Sequence, residues 1–160
     1  MALRKPLVIN AGQIEQIQSG DTLDAVVAEV DVVTLTNNNA SPIVIGAPVY
    51  SDSDNKVDLA KADASGTVQT FGLVRDTSIA AAASGEIQTD GILSASTGQW
   101  DAVAGTTGGL TAGAVYFLSA TTAGELTETA PTTGGQYVVR AGLALSTTEM
   151  EISFTQPILL

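Results

Sequence analysis

The sequence predicts an all-β fold, a small sandwich or barrel preceded by an extended N-terminal arm. Runs rich in Val, Ile, Thr and Tyr recur from residue 30 to residue 154 and several alternate at period two. Glycine pairs and Ser/Thr/Asn clusters punctuate them at short intervals. The helix signal is poor, because no stretch sustains apolar spacing of 3.6 with capping residues over a dozen positions. The architectures consistent with this spacing are a jelly-roll-like sandwich, a barrel, or two related β units packed together.

Residues 1–24 differ in character from the rest. Leu3, Leu7, Val8, Ile9, Ile14 and Ile17 are interspersed with Gln, Gly and Ser. Arg4-Lys5-Pro6 ahead of Leu7-Val8-Ile9 suits a docking arm that adds a strand to a neighbour; a first strand with frayed ends is the plainer alternative. Residues 25–160 are expected to form a single β domain. Val30–Thr36 and Ile43–Tyr50, separated by the turn formers Asn37 to Pro42, predict one hairpin. Val68–Arg75, Glu86–Leu93 and Ala114–Ser119 are further strands, while Ile79–Ala83 fits one helical turn or a small-residue strand equally well. The clearest hairpin comes last. Tyr137, Val139, Ala141, Leu143 and Leu145 share one face of the run 136–145, and Ser146-Thr147-Thr148 make the turn. Met150, Ile152 and Phe154 then point inward, with Glu149, Glu151 and Ser153 toward water.

An internal echo runs through these elements. Gly46-Ala47-Pro48-Val49-Tyr50, Val57-Asp58-Leu59 and Gly72-Leu73-Val74 are answered by Gly113-Ala114-Val115-Tyr116, Glu125-Leu126-Thr127 and Gly142-Leu143-Ala144. Two related units, at about 42–93 and 108–155, would produce it, as would chance in a chain so rich in Gly, Ala, Thr and Val.

Composition restricts function more sharply than it restricts fold. The 160 residues contain neither Cys nor His, which excludes disulfides, zinc fingers, thiol nucleophiles, Ser-His-Asp triads and histidine bases. Seventeen acids against six bases give a net charge of −11, which repels nucleic acid and anionic membranes. Charged residues make up only 14% and mean hydropathy is +0.26, values that favour a packed chain over a disordered one. No apolar run approaches the roughly 18 residues of a membrane span, and the run after Lys5 breaks at Asn10-Ala11-Gly12, too soon for a signal peptide.

Motifs that could carry chemistry have plainer explanations. Ser53-Asp54-Asn55-Lys56 has the spacing of a Ser-x-x-Lys nucleophile, but its Asp and Asn neighbours favour a turn. Asp52-x-Asp54 with Asp63 imitates a calcium loop, yet Lys56 stands where a ligand is needed and Val57 where glycine is required. Looser calcium binding by surface carboxylates stays open. A glycosidase needs only two acids, but sugar sites are lined with aromatics, and the chain has one Trp, three Tyr and three Phe. Gly105-Thr106-Thr107-Gly108-Gly109 lacks the lysine of a phosphate loop. Trp100 either caps the core or anchors a protein interface. Gln156-Pro157-Ile158-Leu159-Leu160 is an apolar tail suited to burial in a subunit contact.

Arg4 to Ile14 leading to Ser19-Gly20-Asp21-Thr22-Leu23, the block Gln99–Val103 with Gly108–Ser119, and the ending Ala144–Ile152 before Gln156–Leu160 resemble structural proteins of tailed bacteriophages. The stretches cover roughly half the chain. The opening is similar to one shared by tail-fibre and head-decoration proteins, and the short length favours decoration. The resemblance implies a non-enzymatic capsid decoration or cement protein, a homotrimer on the outer head surface of the virion, bound to the major capsid protein and lacking cofactor, metal, nucleic-acid and membrane partners. Its contact residues would be Leu3, Arg4, Lys5, Pro6, Leu7, Val8, Ile9, Trp100, Pro157, Ile158, Leu159 and Leu160. The alternative implied is a tail-tip or tail-fibre module that binds a host-surface receptor or glycan.

Overall fold

Two β units follow one another along the chain, and the second repeats the strand order of the first. The computed structural model describes residues 31–160 together with the backbone of residues 7–10 and 13–16. The chain is nearly all β. The first two strands, β1 (Leu7–Asn10) and β2 (Gln13–Gln16), pair antiparallel with Leu7 opposite Gln16 and Ile9 opposite Ile14.

The first unit holds β3 (Val32–Asn37), β4 (Ile43–Val44), β5 (Pro48–Ser53), β6 (Lys56–Leu59), β7 (Thr70–Val74), β8 (Ser78–Ile79) and β9 (Ser84–Gln88). Five of these close a barrel in the order β3-β6-β5-β7-β9, and β4 pairs with β8 beside it. Closure depends on β3 being six residues long. Val32 to Thr36 pair antiparallel with β9, and the end of the strand also reaches β6 in parallel, with Thr36 opposite Lys56 and Asn37 opposite Val57. Closing the sheet leaves none of these five strands with an open edge there.

The second unit holds β10 (Gly91–Ser94), α1 (Thr97–Ala104), β11 (Val115–Leu118), β12 (Leu126–Thr127), β13 (Tyr137–Val138), β14 (Arg140–Ala144), β15 (Glu149–Ile152) and β16 (Ile158–Leu159). Its sheet runs β10-β15-β14-β11-β12, the order of the barrel strands β3-β9-β7-β5-β6. The registers agree as well. Pro48 opposite Leu73 matches Val115 opposite Leu143, Val74 opposite Ile87 matches Ala144 opposite Met150, and both pairings shift register after the next residue of β5 or β11, with the extra residue in the partner strand, Phe71 in β7 and Ala141 in β14. Equivalent backbone bonds recur, from Gly46 N–H to the Val74 carbonyl at 2.9 Å and from Gly113 N–H to the Ala144 carbonyl at 2.8 Å. The quoted echo falls on these equivalent strands. Each unit begins earlier than the echo, at β3 and at β10.

The second sheet stays open because β10 stops after four residues and the chain turns into α1. Ser96 caps that helix: its hydroxyl accepts from Gln99 N–H, and the Gln99 side chain accepts from Ser96 N–H at 2.8 Å. This reciprocal cap satisfies backbone donors at a helix start. Gly105, in the left-handed conformation, ends the helix. The buried face of α1 carries Trp100, Val103 and Ala104 into a core cluster shared with Ile43, Val49, Leu73 and Ile87 of the barrel and with Tyr116, Met150 and Ile152 of the open sheet. A second cluster, built on Ala60, Ala62, Val68, Leu118 and Val139, also spans both units.

The structure corrects several expected elements. β3 does not form a hairpin with the run 43–50. That run bends at Gly46, with φ of 80°, and the two pieces pair elsewhere, β4 with β8 and β5 with β6 and β7. Residues 86–93 split at Thr89-Asp90 into β9 and β10. Ile79 ends a short strand, and the following alanines form a turn with Ala82 at φ of 59°. The hairpin β14–β15 forms with Ala144 opposite Met150, but the bulge at Arg140 shifts the phase of β14. Ala141 and Ala144 are therefore buried, whereas Leu143 is half-buried and Leu145 is exposed. Tyr137 belongs to a separate ribbon with β16, and the Ser153 hydroxyl is buried without a hydrogen-bond partner instead of facing water.

Trp100→Ala would leave a cavity and remove the donor that serves the Thr148 carbonyl at 3.0 Å. It is expected to lower stability by about 3–5 kcal/mol, read as a fall in the urea midpoint. Gly46→Ala is expected to destabilise by about 1–3 kcal/mol, because its φ is 80° and a β-carbon there would come within 2.9 Å of Trp100 Cζ3.

Candidate functional site

The C-terminal segment is held as a β ribbon with its apolar side chains in water. β16 pairs with β13, with Ile158 opposite Val138 and Leu159 opposite Tyr137. Leu160 N–H donates to the Gln136 carbonyl at 2.9 Å, and Gly135 N–H donates to the Leu160 carbonyl at 3.0 Å. Tyr137 N–H ties the ribbon to the Ala62 carbonyl at 2.9 Å. Pro157 lacks an N–H and so suits the start of such an outer strand. Ile158 and Leu159 are 61% and 60% exposed, and Leu160 is exposed too. No charged residue occurs in 129–139 or in 152–160, so the ribbon is a neutral, apolar feature on a chain of net charge −11.

The other expected contact residues do not join it. Leu3, Arg4, Lys5 and Pro6 lie outside the described residues. Leu7, Val8 and Ile9 form β1, whose backbone pairs with β2 of the same chain, so this part of the expected arm is a hairpin. Trp100 is corrected outright. Its side chain has no exposure, and its Nε1 is satisfied by the Thr148 carbonyl, so it is a core residue with no surface to offer a partner. The sequence signal for this was the capping box Ser96-x-x-Gln99, which sets Trp100 and Val103 on one face of a short helix.

No protein-family model matches this chain, and no curated protein matches it.

The motifs with catalytic spacing are accounted for by backbone structure. Ser53 and Lys56 are cross-strand partners at the tip of the β5–β6 hairpin, with Asp54 and Asn55 as its turn, so no helical turn juxtaposes them. Asp52 accepts from Asn38 and from the Tyr50 hydroxyl, and Asp58 accepts from Asn39 at 2.8 Å. These bonds fasten the loop after β3 to that hairpin. Among the described residues, no three acids converge as a metal site would require. In the Gly105–Gly109 loop the N–H groups of Gly108 and Gly109 donate to the Asp101 carboxylate at 3.0 and 2.8 Å, and the Thr106 hydroxyl donates at 3.0 Å. The chain's own carboxylate thus fills the amide cradle that a phosphate would occupy.

Two pockets of about 240 Å³ each open on the surface. One lies between Arg75, Gln88 and residues Ile92 to Ser94 of β10; the other is lined by hydroxyls, among them Ser119, Thr121, Thr129 and Thr133. Both are smaller than the pockets that enclose most small ligands, and neither is lined by an aromatic ring.

Two carboxylates have lowered pKa values for structural reasons. Asp101 is held down by the Gly109 N–H and then by the Gly108 N–H and the Thr106 hydroxyl. Glu128 is held down by the hydroxyls of Thr111 and Tyr116, which donate at 2.6 and 2.7 Å. Burial in turn pushes the Tyr116 phenol upward. A carboxylate lowered in the folded state contributes stability that is complete above its ordinary value and is lost as pH falls through the lowered value. Asp101→Asn should therefore weaken the protein at pH 7 and flatten the fall in stability below about pH 4. Urea midpoints measured against pH for the two proteins check this, and superimposable acid limbs would refute it.

Proposed function

We propose that this chain is a capsid decoration protein of a tailed bacteriophage, seated on the outer head surface, where it stabilises contacts between major capsid subunits without catalysing a reaction. The observation that carries the proposal is the exposed, uncharged ribbon of Ile158, Leu159 and Leu160, held in register by backbone hydrogen bonds. A preformed apolar strand can bind a protein surface with little ordering cost, and its neutrality matters on an acidic molecule. The −11 charge suits a position away from packaged DNA and keeps copies soluble before assembly. Many equivalent sites on a shell would make modest individual contacts additive. The expected absence of enzymatic chemistry belongs to the same proposal. It is supported by a chain without His or Cys and by motifs whose polar groups are occupied by turns and caps.

The test is an Ile158→Asp, Leu159→Asp double variant. Both side chains already face solvent, so the urea midpoint should stay within about 0.5 kcal/mol of the parent. Retention on purified heads should fall at least tenfold, since each buried aliphatic side chain contributes about 1.5–3 kcal/mol. Undiminished occupancy would remove the ribbon from the contact. Antibody labelling of virions decides the location: signal over the head supports decoration, and signal confined to the tail would replace it with the tail-module alternative.

A further inference from the structure

The β3–β9 ladder runs past the residue at which β3 begins. Val32 lies opposite Gln88, and one step further the Asp31 carbonyl accepts from Thr89 N–H at 2.8 Å and from the Thr89 hydroxyl at 3.1 Å. Asp31 is the first residue described after β2. The partner strand does not stop there: beyond Thr89-Asp90 it continues as β10. A surface pocket lined by Gln88 and by Ile92 to Ser94 sets the Val32–Gln88 pair beside β10. The chain thus enters the fold alongside a strand that ends its sheet.

The free edge of β10 follows from its bonds to β15. Ala95 N–H donates to the Thr148 carbonyl at 2.9 Å, so Leu93, on the same side of the strand and opposite Met150, also turns its backbone groups to β15. Those groups alternate sides along an antiparallel strand, which points the N–H and carbonyl of Ile92 and Ser94 to the other edge. Among the described residues no backbone group bonds them there. Such an edge is a template for a further strand. Thr89 turns toward β3, and Ile92 is the next residue of β10 whose groups point away from β15. This spacing is one residue longer than strict alternation gives. The extra residue is taken up at Asp90-Gly91, where Gly91 has φ of 79°, the Asp90 carbonyl accepts from Gln88 Nε2 at 2.9 Å, and Gly91 N–H donates to Asp90 Oδ1 at 2.7 Å. A bulge of this kind sets two residues against one across a ladder.

We propose that Ala25-Val26-Val27-Ala28-Glu29-Val30 of the same chain, which lies outside the described residues, continues β3 along the free edge of β10. Val30 then stands opposite the bulge, Glu29 opposite Ile92 and Val27 opposite Ser94. The point of entry selects this occupant over a second copy, because a strand already in register at Asp31 has no further loop to close. Its composition suits a strand, with three valines and one charge in six residues. The alternation agrees. Asp31 and Val33 are exposed and Val32 is half-buried, so the same period sends Glu29 to the exposed side and Val26, Ala28 and Val30 to the covered one. The chain itself thereby protects the edge of β10, and a single strand ending at Asn37 ties the open sheet to the barrel. The pairing does not depend on the capsid proposal.

The test is amide hydrogen exchange on the full chain, read residue by residue by NMR. In the parent, the Ile92 and Ser94 amides should exchange roughly a hundredfold slower than unstructured amides, whatever the protein concentration. Glu29→Pro removes the N–H that faces the Ile92 carbonyl and should speed both amides at least about tenfold, while Leu93, bonded to β15, stays within about threefold of the parent. Ala28→Pro removes an N–H that points away from β10, where an edge strand tolerates proline, and should leave all three amides within about threefold. Urea midpoints identify folded variants, and the parent rates decide the pairing if a variant fails to fold. Ile92 and Ser94 amides that exchange at unprotected rates in the parent overturn it. So do protection that survives Glu29→Pro, an Ala28→Pro as disruptive as Glu29→Pro, or protection that grows with protein concentration, which would assign the strand to a second copy.

Discussion

Trp100 at the seam of the two units is the contact on which the rest of the architecture depends. Its ring lies against Gly46 at the entrance to β5, its indole N–H serves the Thr148 carbonyl in the β14–β15 turn, and Val103 beside it reaches the same glycine. One side chain therefore links the barrel, the helix and the open sheet. The link requires that position 46 carry no β-carbon and that α1 start where Ser96 caps it. The single large core cluster, running from Ile43 to Ile152, is the consequence: neither unit keeps its apolar face to itself.

From this join follows the difference between the units. Both have the same strand order and registers, but β3 runs long enough to meet β6 while β10 gives way to the helix that delivers Trp100. The second sheet gives up barrel closure, and with it the pairing that would protect β10 and β12 as edges. What it gains is the wedge that fixes it to the barrel. Ile92 and Leu145 of the second unit and the C-terminal ribbon leave apolar side chains in water, as Val33 and Val44 do on the first.

Polar chemistry in the chain goes into holding loops. Asn37 donates to the carbonyls of Ser41 and Ile79 at 3.0 and 2.9 Å and accepts from Asn39, which ties the end of β3 to the alanine turn. Asp101 gathers the glycine loop after α1, and Glu128 gathers Thr111 and Tyr116. In each case a side chain satisfies backbone or hydroxyl groups that would otherwise lie unpaired near the core. None of these clusters leaves a carboxylate and a nucleophile facing a common cavity.

The all-β class was legible because period-two patterning and turn residues act locally, and so were the inward Met150 and Ile152 and the solvent-facing Glu149 and Glu151 of the last hairpin. The exposed tail could be singled out because Ile158-Leu159-Leu160 has no polar neighbour to explain it. Strand partners were less accessible. β3 pairs with β9 about fifty residues away, and the adjacent run 43–50 offers no register once Gly46 and Pro48 bend it. The phase of β14 escaped as well, since a bulge is set by the partner strand and moves every later side chain to the other face. The sequence by itself determined the acidity, the absence of Cys and His, the class of fold and the apolar ending. Tertiary structure decided which unit closed into a barrel, that Trp100 faces inward, and which apolar face was left in water, because each depends on contacts between residues far apart in sequence.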